Sequence, residues 1–139
     1  MKKVVLLSAL VIALFTTGCS SKKELVCSQA LQGVSVDMIL GYENDKLSSL
    51  GFKEEIDLSS YSDSDIDAVM AQDYCPIAKQ SIGQLADAFI NCKQSKSGKK
   101  LILTGEFDIE KIPTTEENIT KSMDEAAKEL EKQGFSCKK

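Results

Sequence analysis

The chain contains no histidine, no arginine and no tryptophan, so all 17 of its positive residues are lysines. Without an imidazole there is no Ser-His or Cys-His nucleophile pair and no imidazole metal ligand. Without a guanidinium there is no bidentate clamp for a phosphate or carboxylate. Most hydrolytic mechanisms thereby lose their base. A lysine or carboxylate can serve instead, but no spacing singles out a pair. No catalytic residue, cofactor or metal ligand set is assigned, and the chain reads as a protein that is not an enzyme. Aromatic residues make up only 6 %, and Tyr42, Tyr61 and Tyr74 are not spaced as a stacking platform. Acids outnumber lysines, 21 to 17, for a formal net charge of -4, which argues against nucleic acid as a partner.

What the chain does carry begins at its first residues. Lys2 and Lys3 precede an apolar run from Val4 to Phe15, and Thr16-Thr17-Gly18 leads into Cys19. A basic start, an apolar segment too short to span a bilayer comfortably and a small residue before a cysteine are the pattern of a bacterial lipoprotein signal. Residues 1–18 read as that signal, with Cys19 as the lipidated residue. Two or more acyl chains on it would give a stable anchor. The expected location is the cell membrane, facing outside the cytoplasm, and Ser20 carries no strong retention signal for either envelope membrane. Residues 19–24 read as a tether, whose Ser20 to Lys23 stretch reaches about 14 Å when extended, so the domain beyond it rides close to the bilayer. Cleavage removes two lysines and no acid, leaving the mature chain more acidic.

Residues 25–139 read as a single domain large enough to bury a core. Val34, Val36, Met38, Leu40 and Tyr42 alternate with Ser35, Asp37, Ile39 and Gly41, the period-two pattern of a strand with one buried face. Leu50, Phe52, Ile56 and Leu58 repeat it after Glu43-Asn44-Asp45-Lys46, a turn whose Asn and Asp tolerate tight backbone. A hairpin follows. Leu25 to Ser28 supplies an earlier strand, turning back through Gln32-Gly33, and Leu101, Leu103, Phe107 and Ile109 supply a later one, with Ile102 off the pattern. Between them the period becomes helical: Ile66, Val69, Met70 and Tyr74, then Ile82, Leu85, Phe89 and Cys92. Ser62 and Asp65 have capping-box spacing. A last helix is expected from Thr114, with Glu117 at box spacing, to a stop at Gly134. The fold class is α+β: an antiparallel sheet of about four strands, a helical segment inserted before the last strand, and a C-terminal helix.

Three segments carry a resemblance: Tyr42-Glu43-Asn44-Asp45-Lys46-Leu47, Phe107-Asp108-Ile109-Glu110-Lys111-Ile112 and Glu129-Leu130-Glu131-Lys132-Gln133-Gly134-Phe135. With them, nearly the whole mature chain resembles the YehR-like family of small bacterial lipoproteins of unknown function. The shared motifs are a hairpin turn, a strand end and a helix stop. The resemblance therefore implies a fold and a lipid anchor, and supplies no active-site residues.

Four cysteines remain after Cys19: Cys27, Cys75, Cys92 and Cys137. An even count in an exported domain reads as two disulfides, with three pairings formally open. Joining Cys27 to Cys137 would tie the chain ends together, and Cys75 with Cys92 flank Gly83-Gln84, where a bend would bring them together. A straight helix would hold that pair about 25 Å apart, against the roughly 6 Å a bridge spans, so the pairing requires a break at Pro76 or Gly83. The pairing 27 with 137 and 75 with 92 is favoured. The sharper alternative is a thiol-dependent envelope redox protein using Cys75 and Cys92, but no C-x-x-C is present to lower a thiol pKa. A four-cysteine zinc site lacks the close pair that would begin it. Asp63, Asp65 and Asp67 imitate the opening of a calcium loop, yet Ala68 stands where glycine is needed and Tyr74 where a bidentate Glu belongs. The favoured reading is a non-catalytic, disulfide-stabilised extracytoplasmic domain anchored through Cys19. It would serve as a binding or interaction module for an envelope or surface protein.

Overall fold

Two tight turns organise the first half of the molecule. At both, two consecutive residues adopt left-handed backbone: Gln32 and Gly33 at φ 44° and 84°, Asn44 and Asp45 at φ 51° and 61°. Such turns match the twist of the strands they join, so hairpins result. In the computed structural model, which describes residues 21–112 and 122–139, β1 (Lys22–Leu31), β2 (Val34–Glu43) and β3 (Lys46–Asp57) are the antiparallel strands flanking these turns. After β3 come α1 (Asp63–Met70), α2 (Cys75–Ser81), a short 3-10 turn at Gly83–Leu85, β4 (Phe89–Ser97) and β5 (Lys100–Phe107). A second 3-10 turn at Ile109–Lys111, α3 (Met123–Lys132) and β6 (Ser136–Lys138) complete the order. The strands form one antiparallel sheet ordered β4-β5-β3-β2-β1-β6.

The α+β class agrees with the sequence pattern, but the sheet has six strands where about four were expected. The two extra strands lie at the sheet edges. β4, expected as the second half of a helical segment, is a strand because Gly83 takes φ 59° and ends the helical run. Phe89 and Cys92 therefore sit on a strand, not a helix. Its remaining residues are mostly polar, as befits an edge strand, and leave little alternation to detect. β6 is only 3 residues long and polar at both ends. Lys22, Lys23 and Glu24, expected within the tether, belong to β1 and pair with Glu43, Tyr42 and Gly41. Backbone ladder bonds require no apolar side chain, so polar residues extend β1 up to the β2–β3 turn.

The register builds one apolar face, row by row. Leu25, Leu40, Leu50 and Phe107 lie across four strands, and Cys27, Met38, Phe52 and Gly105 form the next row. Ile102, which broke the alternation of β5, pairs with Glu55 on the opposite face. Helices cover the apolar face at both ends. Ala126 and Ala127 of α3 pack with Leu25, Cys27, Leu40 and Tyr42, and Ile66 of α1 packs with Leu58 and Leu101.

Helix ends follow their side chains. The Ser62 hydroxyl accepts from the Asp65 amide at 3.3 Å, while the Asp65 carboxylate bonds the same hydroxyl instead of reaching the Ser62 amide, so the box is half formed. The complete box belongs to Ser122 and Glu125. Because Ser122 is extended (φ -62°, ψ 160°), α3 begins there and does not run through from further upstream. Thr114 and Glu117, the expected box, lie outside the described residues. Gly134, at φ 95°, ends α3 as expected: its amide donates to Glu131 O and that of Phe135 to Leu130 O, each at 3.1 Å. Two terminal carbonyls are thereby satisfied.

Candidate functional site

The cysteines fall into two bridges, Cys27–Cys137 and Cys75–Cys92, with sequence separations of 110 and 17. Cys27 and Cys137 are directly opposed on β1 and β6, with Cα atoms 4.0 Å apart, and Cys27 is fully buried. The other bridge joins the first residue of α2 to β4, with Cα atoms 5.8 Å apart. Cys19 lies outside the described residues, and among those residues no helix is long and apolar enough to cross a membrane.

The second bridge has a specific mechanical role. α2 has 7 residues, none of them buried, and its N-cap residue Tyr74 makes no side-chain cap bond. So short a helix is marginal alone. Gln94 of β4 holds the segment before it: its side-chain oxygen accepts from the Tyr74 amide at 3.0 Å, and its amide donates to Gln72 O at 2.9 Å. Gln94 and the disulfide together fasten α2 to the sheet edge. Asp63 and Asp67 of α1 pair with Lys99 and Lys96 of the β4–β5 hairpin at 3.2 and 3.6 Å. The first-turn acids Asp63 and Asp65 thus complement the helix dipole, and Asp63 and Asp67 make exposed ion pairs, each worth about 0–1 kcal/mol.

Between this helical layer and the sheet lies a cavity of about 460 Å³. β2, β3 and β5 form its floor with Met38, Phe52, Ile56 and Leu103, and α2 and the turn after it form its roof with Ile77, Ile82 and Leu85. Phe89 and Phe107 close one side, packed with Phe52 at ring-centroid distances of 5.4 to 6.4 Å. Gly105 makes that cluster possible, since a Cβ there would stand 2.2 Å from the Phe89 ring. One charged side chain lines the cavity: Glu54 of β3. It sits between Val36 and Leu103 in its row and has no hydrogen-bond or ion-pair partner among the described residues. The volume falls within the 300–1,000 Å³ usual for small-molecule sites, and a mostly apolar lining with a few polar groups, here Glu54, Ser81 and Tyr74, is their usual composition.

A larger furrow of about 890 Å³ crosses the opposite face past Ile39, Gly51, Lys53, Lys93 and Glu106. Lysines and acids line it beside apolar residues, and it is bordered by a bulge at Asn91, whose side chain donates to Glu106 at 2.7 Å. Its charges include both Lys53 and Lys93 and the acids Glu106, Asp108 and Glu110, so no single ligand chemistry is favoured there. Among the described residues no cluster of Cys, Asp or Glu could hold a metal ion.

The sequence reading singled out cysteines and passed over Glu54, although its signal was present. Glu54 stands two residues after Phe52 and two before Ile56, so the alternation that assigned those residues to the core assigns an acid there too. Gln94, in a polar edge strand, offered no such signal.

No family model and no curated protein matches the sequence. The fold is similar to an NMR structure of a protein from Streptococcus pneumoniae TIGR4, with a TM-score of 0.52 and 14 % identity. That similarity covers 88 % of this chain and 87 % of the other.

Proposed function

We propose that this chain is a lipid-anchored, extracytoplasmic binding domain without catalytic chemistry, which holds its bound molecule in the cavity between α2 and the sheet. The carrying observation is that cavity: apolar residues from β2, β3, β5 and α2 converge on it, and a disulfide and Gln94 keep its roof in place. The lipoprotein-type start at residues 1–19 supports the anchored part of the reading, as does the resemblance to the YehR-like family. Oxidised cysteine pairs suit an oxidising compartment. A neutral apolar dye such as N-phenyl-1-naphthylamine tests the site. Its fluorescence should rise saturably, one dye per chain, with the native protein. Ile82→Trp, which fills the cavity, should abolish that rise without unfolding the domain. Absence of saturable uptake by the native protein would remove the reading.

A thiol-dependent envelope protein is the second reading, favoured by the half-exposed position of Cys75 and Cys92. Replacing both with serine separates the two: a structural bridge costs stability alone, whereas a redox bridge takes a thiol-exchange activity with it.

A further inference from the structure

We infer that the cavity beneath α2 takes an organic cation: an amine-headed molecule with an aliphatic or aromatic body, its ammonium group seated on Glu54. The inference rests on the proposed reading of the cavity as the binding site, and adds the chemical class of the ligand.

On β3 the covered face carries Leu50, Phe52, Glu54 and Ile56 in succession, and the cross-strand neighbours of Glu54 are Val36 and Leu103. Glu54 is half-buried there, so its carboxylate sits at the edge of the apolar lining and its charge is compensated only by water or by a bound partner. Among the described residues no ion pair reaches it. Among the described residues no lysine lines the cavity. The lysines that do form ion pairs, among them Lys53, Lys96 and Lys99, pair with Glu55, Asp67 and Asp63 instead. Gln94, the polar residue next in that row, is committed to the backbone of residues 70–74. Local rules broken without internal compensation mark functional positions. The carboxylate thus repels an anionic head and supplies no hydrogen to a neutral acceptor, but completes a charge-assisted bond with an ammonium group. The remaining lining, from Phe52 to Leu103, receives the ligand's apolar body. A volume of 460 Å³ admits about fifteen water-sized groups at roughly 30 Å³ each, which fits a chain of about ten carbons with its head group.

The test is photoaffinity labelling of the full-length protein with three probes sharing one ten-carbon, diazirine-bearing chain and ending in an amine, an alcohol or a carboxylic acid, followed by peptide mapping. The amine should label peptides from β3, β5 and α2 saturably and at about tenfold lower concentration than the alcohol, with the acid weakest. Unlabelled decylamine should compete. Glu54→Gln, which keeps the side chain's size, should bring amine and alcohol to equal labelling, and an unchanged melting temperature would show that the variant folds. Ile82→Trp should remove all three. Equal labelling of these peptides by the three probes in the native protein, or an amine preference that survives Glu54→Gln, would overturn the cationic assignment and leave the cavity as a binding site. Failure of every probe to label them would overturn both.

Discussion

The Tyr42 hydroxyl is buried among Leu25, Leu40 and the alanines of α3, and it has no hydrogen-bond partner among the described residues. Leaving a buried polar group unsatisfied costs about 1–3 kcal/mol, so Tyr42→Phe should leave stability unchanged or raise it by up to that amount in urea unfolding. A loss would mean that the hydroxyl is bonded. Burial also raises the Tyr42 pKa above the ordinary tyrosine value. The folded state therefore holds this proton more tightly than the unfolded state, and the resulting stability is present below pH about 10 and lost as pH climbs through the raised value. Tyr42→Phe should flatten that alkaline limb. The acid limb has the opposite sign. Asp57 is held below the usual carboxylate range by hydrogen bonds from Ser59, and Asp124 by Lys139, so their contribution is lost as pH falls below about 4. Gly105 is a steric requirement: Gly105→Ala should cost about 1–3 kcal/mol, because the added methyl group must displace the Phe89 and Phe52 rings.

α2 and β6 are the elements most dependent on their cysteines. Replacing Cys75 and Cys92 by serine should cost about 3 kcal/mol, the value for a loop of roughly fifteen residues. Hydrogen exchange should then quicken in α2 while β1, β2 and β3 stay protected. Replacing Cys27 and Cys137 should cost more, about 4–5 kcal/mol, because that bridge closes almost the whole domain. Uniform loss of protection in the first variant would show that α2 is not separately fastened. The same elements explain what could be read from the sequence. β2, β3 and β5 declare themselves because one face is apolar and the other wet, and the Asn44-Asp45 turn because two left-handed residues favour those side chains. β4 and β6 are stabilised by pairing, a bulge and disulfides, none of which leaves a periodic signal. The start of α3 was misplaced for a related reason: Thr114-Glu117 and Ser122-Glu125 share one spacing, and only the backbone of Ser122 decides between them.

For the molecule as a whole, the helical layer covers one face of the sheet, and the cavity opens between two small cores at either end of that face. Cysteine count and lipoprotein-type start were legible early, whereas the cavity was not, since it arises from where α2 is fastened. Cys19→Ser should release the chain from the membrane fraction into the soluble extracytoplasmic fraction, with its disulfides intact. Retention of that variant in the membrane would exclude Cys19 as the sole anchor. Everything turns on whether the cysteines serve architecture or exchange. The most direct measurement is an unreduced peptide map, by mass spectrometry, of native protein extracted from membranes with free thiols blocked. The account predicts lipid on Cys19 and full pairing of Cys27 with Cys137 and Cys75 with Cys92. Blocked thiols or mixed disulfides at Cys75 or Cys92 would contradict it and make thiol exchange the function to pursue.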